Sequence, residues 1–163
     1  MALLENLRVF LDTNHAEYTH TVHPLAYTAR EVASAEQLPA REVAKTVVIF
    51  GDNEYHMLVV PANKLVDFQE VRLTLVFTHA RMATEEELGR LFPDCELGAM
   101  PPFGNLYNNL PVNLDSALAM EEMIAFNAGT HRDVVHMKTA AYREMAKPTM
   151  VSLAREAAMR HGW

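Results

Sequence analysis

The sequence lacks most of what staples, anchors or charges a small protein. One cysteine, Cys95, stands among 163 residues, so neither an intramolecular disulfide nor a multi-cysteine zinc site can form, and a reducing compartment is the expected setting. No apolar run approaches the roughly 20 residues that span a bilayer. Near the N-terminus Glu5 and Arg8 break up the leucines that a secretory signal needs in an unbroken core. Positive charge is also short, with 14 Lys and Arg against 21 Asp and Glu and a formal net charge of −7. That balance excludes a protein coating long stretches of duplex through many phosphate contacts, while leaving room for a local grip on the end of an RNA. The expectation is a soluble, cytoplasmic protein with neither a membrane nor DNA as partner.

The familiar catalytic signatures are missing as well. There is no GxSxG elbow, no GxxxxGK[ST] phosphate loop, no GxGxxG fingerprint and no HExxH helix. Eight histidines occur, at 15, 20, 23, 56, 79, 131, 136 and 161, without a metal-ligand spacing, so no metal and no cofactor are expected. Cys95 lies between Asp94 and Glu96, whose charges raise a thiol pKa and make it a poor nucleophile. The ten methionines read as fillers of core gaps.

What is present describes an ordinary core. Half of the residues are hydrophobic and 21% are charged, and a chain of this length buries about 70% of its unfolded surface, enough for one domain over residues 1–163. Leu3, Leu4, Leu7, Phe10 and Leu11 share one helical face. Residues 17–23 read as a strand running into Pro24. Thr28 and Glu31, then Thr84 and Glu87, form capping boxes that open helices over 29–37 and 85–92. Residues 44–50 and 55–60 make the clearest hairpin, turning at Gly51-Asp52-Asn53. Residues 64–78 read two ways, with a helix start over 67–71 and strand composition over 73–77. A long proline-, glycine- and asparagine-rich loop covers 93–111, the kind of segment that carries function. Short strands at 112–114, 123–127 and 134–137 follow, then a helix over 140–146 stopped by Pro148. Met150, Leu153, Ala154, Ala157 and Ala158 predict a final amphipathic helix. The pattern is that of an α+β unit without internal repeats.

Three places carry chemical interest. Lys45 is one of four lysines and stands in the most apolar strand, sharing a face with Val47 and Ile49. A buried ammonium there has a lowered pKa and needs an acceptor or a substrate, whereas a strand-entry lysine can also snorkel to water. In Gly98-Ala99-Met100-Pro101-Pro102-Phe103-Gly104 two glycines bracket a stiff Pro-Pro pair. Such a loop is either an irregular turn or a rigid frame offering backbone groups to an α-amino group or an ester carbonyl. Asn127-Ala128-Gly129-Thr130-His131 sets an imidazole beside a glycine turn, a structural or a substrate-facing position.

Taken together and in order, the AKTVV strand, the LVVPA strand, the ATEEEL helix, the GAMPPFG loop and the IAFNAG turn resemble the YbaK/ProX family of aminoacyl-tRNA deacylases, which is related to the prolyl-tRNA synthetase editing domain. The resemblance covers about residues 15–150. It implies a single α+β domain with a mixed, mostly antiparallel, partly barrel-like sheet flanked by helices. It also implies freestanding, metal-independent hydrolysis of the ester joining a wrong amino acid to the 3′ end of a tRNA. Within it, Lys45 matches the functional lysine, and Gly98, Ala99, Met100, Pro101 and Pro102 match the GxxxP substrate loop. Gly129 and His131 fall near a substrate-contacting position. The Pro101-Pro102-Phe103 version of the loop departs from members with a small polar residue before the proline, and alanine, serine, threonine or cysteine esters are the candidate substrates. The implied partners are the tRNA acceptor end and a synthetase or elongation factor that delivers it. A non-catalytic module of the same fold binding tRNA or a synthetase is the alternative, and a hydrolase of small acyl compounds a third reading.

Overall fold

The computed structural model describes residues 4–156. In chain order the elements are α1 (Glu5–Thr13), β1 (Tyr18–Val22), α2 (Ala29–Glu36), β2 (Ala44–Gly51), β3 (Glu54–Pro61), β4 (Lys64–Val66), α3 (Phe68–Thr74) and β5 (Ala80–Met82). They continue with α4 (Glu85–Leu91), β6 (Val112–Asp115), α5 (Ser116–Ala119), β7 (Met123–Asn127), β8 (Asp133–Lys138), α6 (Thr139–Ala146), β9 (Thr149–Val151) and β10 (Ala154–Glu156).

The strands form a five-stranded sheet in the order β5-β2-β3-β6-β9, a three-stranded sheet β1-β8-β7 and the pair β10-β4. Most pairings are antiparallel, while β3-β6 and β6-β9 run parallel. A parallel bridge from Val43 to Ala125 ties the two larger sheets together, so the strands wrap around the core without closing into a barrel. This is the mixed, mostly antiparallel α+β architecture that the sequence led us to expect.

Local chemistry accounts for the elements. Asp52 and Asn53 both take positive φ, the two-residue turn whose twist matches a hairpin, and β2 pairs with β3 from Ala44–Pro61 to Gly51–Glu54. Both capping boxes form, at Thr28/Glu31 and at Thr84/Glu87. Residues 64–78 resolve as β4 followed by α3, because the Asp67 side chain caps the helix by accepting from the backbone of Gln69 and Glu70. The strand-like run 73–77 is the end of that helix and a turn in which Val76 takes positive φ.

The expected final helix is not formed over the described residues. Met150 lies in β9 and Ala154 in β10, with Leu153 buried between them. One oxygen of the Asp115 carboxylate accepts from the backbone of Leu153 at 2.8 Å and of Ala154 at 3.1 Å, which holds this segment extended. Ala157 and Ala158 lie outside the described residues.

Strand alternation sorts the core into clusters. Ala44 and Val48 point to the main one, with Leu7 and Leu11 of α1, Phe103, Phe126 and Tyr142. The opposite face of β2 and β3 carries two smaller clusters: Val43, Ala62 and Ala125 under Val32 and Ala33 of α2 at one end, and Ile49, Leu58 and Val60 with Val71 and Leu153 at the other. Lys45 falls between these two, on the face with Val43, Val47 and Ile49.

Candidate active site

Where the two small clusters part, the surface opens into a cleft of about 440 Å³ lined by residues 27–30, Lys45, residues 62–65, Gly98 and Asn127. Four stretches far apart in sequence meet here for identifiable reasons. The Ala62 backbone donates to the Val43 carbonyl at 2.8 Å, which turns the chain after β3 across the start of β2. The Val43–Ala125 bridge sets Lys45 abreast of Asn127, two residues further along both strands. The capping box brings the first turn of α2 to the rim: Glu31 accepts from the backbone of Tyr27 and Thr28, and Thr28 accepts from the backbone of Glu31.

Lys45 is half-buried, and its Nζ donates to the backbone carbonyl of Lys64 at 2.6 Å. Burial lowers its pKa below the ordinary lysine value, and the Arg30 guanidinium lowers it further. The ammonium is thus held at the cleft wall by one hydrogen bond, leaving donors for a second acceptor. Among the described residues Arg30, Lys45 and Lys64 line the cleft, and no Asp or Glu does.

The two loops singled out in the sequence are clamped together. The backbone of Glu96 donates to the Gly129 carbonyl at 2.8 Å, and Gly129 donates to the Ala99 carbonyl at 2.9 Å. His131 donates through its backbone to the Glu96 carboxylate at 2.8 Å, and through Nε2 to the Leu97 carbonyl at 2.7 Å. That second bond fixes the proton on Nε2. Behind the turn, the fully buried Asp133 accepts from Thr130 Oγ1 at 2.5 Å and pairs with His20 Nε2 at 2.6 Å. Gly98 and Gly129 both take positive φ, +85° and +96°, the region that glycine enters without strain.

The structure therefore divides the sequence-derived residues. Lys45 and Gly98 face the cleft. Ala99, Met100, Pro101 and Pro102 are buried behind its rim, and both backbone groups of Ala99 are engaged, its amide with the Glu96 carbonyl and its carbonyl with Gly129. The Pro102 carbonyl accepts from the buried Tyr142 hydroxyl at 2.7 Å, and Phe103 packs edge-on against Phe10, Phe126 and Tyr142. Gly129 belongs to the clamp, where an added Cβ would meet Leu4 at 2.6 Å. The buried His131 ring stands behind the rim against Tyr27, with centroids 5.0 Å apart. Cys95 is away from the cleft, and burial above all pushes its thiol up to about 12. Sequence reasoning missed Arg30, Asn63, Lys64 and Asn127. The place of the first turn of α2 at the rim, the Val43–Ala125 bridge and the path after β3 reveal them.

Residues 23–145 match the model of the aminoacyl-tRNA editing domain. A curated relative, the multifunctional Ser/Thr-tRNA deacylase ProXp-y of Escherichia coli K12, is 26% identical over 158 residues, which cover 94% of this chain and 93% of the relative. Its counterpart in Escherichia coli O157:H7 matches to the same extent. Among solved structures, a candidate trans-editing enzyme for prolyl tRNA synthetase superposes with a TM-score of 0.80 at 23% identity, covering 93% of this chain and 96% of that one. A hypothetical protein superposes with a TM-score of 0.82 at 14% identity, covering 92% and 99%. These two likenesses establish a shared fold, and the family match establishes more: this chain belongs to the aminoacyl-tRNA editing domain family.

Proposed function

We propose that the protein is an aminoacyl-tRNA deacylase that hydrolyses esters of small amino acids, serine and threonine foremost, with alanine and cysteine as further candidates. The observation that carries this reading is the half-buried Lys45 ammonium in a cleft lined, among the described residues, by three cations and no carboxylate, on the fold of a family of editing domains. Water attacks the ester carbonyl, negative charge gathers on its oxygen, and Lys45 donates to that oxygen. Collapse of the tetrahedral species breaks the bond to the ribose oxygen, which takes a proton as the free amino acid leaves. A preorganised donor of this kind contributes about 10²–10³ in rate. Among the described residues no carboxylate or imidazole lines the cleft to take the proton from water, and the vicinal hydroxyl of the terminal ribose is the group assigned to orient it.

Arg30 and Lys64 give the acceptor-end phosphates a local grip that the net charge of −7 does not announce. Gly98 forms the part of the GxxxP loop that reaches substrate. Ala99 to Pro102, Gly129 and His131 keep it there. The name of the E. coli relative, a Ser/Thr-tRNA deacylase, supports the order of substrates. Delivery by a synthetase or elongation factor in the cytoplasm fits a reaction on mischarged tRNA.

The test is deacylation of tRNAs charged with serine, threonine, alanine, cysteine and proline. Release of one or two small amino acids at rates well above spontaneous hydrolysis is expected. A folded protein that cleaves none of these esters, yet binds tRNA, overturns the reading in favour of a non-catalytic module. Cleavage of simple acyl esters without competition by uncharged tRNA points to the small-molecule hydrolase instead.

A further inference from the structure

We infer that Asn127, aided by Asn63, is the subsite that holds the α-amino group of the aminoacyl ester. The inference rests on the deacylase reading and adds the part of the substrate that this reading leaves unheld.

Asn127 and Asn63 both line the cleft with Lys45. Each has its side-chain Oδ1 buried and without a hydrogen-bond partner among the described residues. A buried acceptor left unpaired is costly, and native structures keep few of them. Two such oxygens on residues that line one cleft, beside a half-buried ammonium, mark a place where a donor from outside completes the bonding. The Val43–Ala125 bridge fixes the geometry, because Asn127 follows Ala125 and Lys45 follows Val43 by the same two-residue step onto the same face. Asn63 reaches the cleft from the turn between β3 and β4, next to Lys64, whose carbonyl accepts from Lys45.

The Thr28 hydroxyl on this wall, and the Glu31 carboxylate just outside it, are already engaged. Thr28 accepts from the Glu31 backbone, and the Glu31 carboxylate is spent on the backbone of Tyr27 and Thr28. Among the described residues the charges lining the cleft are those of Arg30, Lys45 and Lys64, all positive. An amino group entering here meets no anion, and the three cations favour its neutral form. A neutral amine offers two N–H donors, and the two amide oxygens supply two acceptors. The ester carbonyl, which has no donor, is left to Lys45. The wall thereby separates the two ends of the reacting group: acceptors for the amine, a cationic donor for the carbonyl oxygen. Discrimination of this type is strong, since a site built to bond an N–H loses far more on an analogue without it than a hydrophobic pocket loses for one methylene.

The experiment compares a tRNA carrying the amino acid that wild type removes fastest with the same tRNA carrying its des-amino counterpart, 3-hydroxypropionate in the case of serine. Wild type is expected to favour the aminoacyl ester by about 100-fold or more in kcat/KM. Asn127→Ala is expected to lose about 30- to 100-fold on the aminoacyl ester while leaving the des-amino ester unchanged, so that the preference collapses. Asn63→Ala moves it in the same direction by less, and carries the test if Asn127→Ala does not fold, as its thermal midpoint will show. Equal losses on both esters, or retention of the preference in both variants, overturn the inference. Failure of wild type to cleave any aminoacyl ester overturns the deacylase reading itself, and is read from the wild-type arm alone.

Discussion

Replacing Lys45 by methionine isolates the ammonium. Methionine keeps an unbranched stem between the two small apolar clusters and removes only the charged end. On the proposed mechanism the lost donor faces a developing oxyanion in the transition state, so kcat falls by about 10²–10³, equivalent to about 2.7–4 kcal/mol. In the ground state the accounts nearly cancel. The variant loses the 2.6 Å bond from a charged donor to the Lys64 carbonyl, about 1.5–3 kcal/mol, and regains the cost of holding a cation against burial and against Arg30, the two causes that lower its pKa. The net change in stability is within about 1 kcal/mol, a thermal midpoint shift of at most about 4 °C for a chain of this length. Steady-state deacylation of the preferred aminoacyl-tRNA, run beside thermal denaturation, reads both quantities. A variant within tenfold of wild-type kcat refutes the electrostatic role. A midpoint lowered by more than about 10 °C refutes the claim that Lys45 serves substrate rather than scaffold.

Other changes probe the supports of the site. With protonated Lys45 as the proposed donor, activity falls as alkaline pH removes its proton, at a midpoint below that of an ordinary lysine. Arg30→Ala removes one of the two causes of the lowering and shifts that limb to higher pH, and an unmoved limb in the pH–rate profile refutes the coupling. Gly98→Ala places a side chain at φ +85°, with the His131 ring 3.6 Å from the new Cβ. The cost is backbone strain of about 1–2 kcal/mol rather than a clash, and activity falls by more than that strain accounts for, whereas parallel losses in activity and urea midpoint make the loop structural only. Tyr142→Phe leaves the buried Pro102 carbonyl without its 2.7 Å donor and destabilises by about 1–3 kcal/mol, which an unchanged urea midpoint contradicts.

Much of this was legible in the sequence where local chemistry decides. The two capping boxes and the Asp52-Asn53 turn depend on residues three apart or adjacent, and each formed where the spacing put it. The short β4, β5, β9 and β10 were not legible, because strands of three residues carry no period and exist only through their partners. The 150–158 stretch shows the limit most clearly. Its apolar spacing reads as helical, yet one carboxylate at Asp115, 38 residues away from Leu153, takes two of the backbone donors that a helix would use. Lys45 stood out because an ammonium in an apolar strand contradicts its neighbourhood. Asn127 sat in the quoted turn without drawing notice, since nothing local distinguishes a satisfied asparagine from an orphaned one.

Net charge misleads about the site for a related reason. Summed over the chain, acids outnumber bases by seven, while the cleft wall carries, among the described residues, Arg30, Lys45 and Lys64 and no acid. Glu31, adjacent to Arg30 in sequence, is the group that ought to cancel this field. Its carboxylate instead accepts from the backbone of Tyr27 and Thr28, and those bonds hold its pKa below the ordinary value. The charge that would neutralise the cleft is turned back to cap α2, where it complements the positive end of the helix. On the proposed reading, a cationic pocket of three residues in an acidic protein grips the end of a tRNA and little else of it, so the salt dependence of tRNA affinity is expected to be shallow, with a slope no steeper than that of about three phosphate contacts. A slope of eight or ten would place the tRNA body on a surface of this protein far from Lys45.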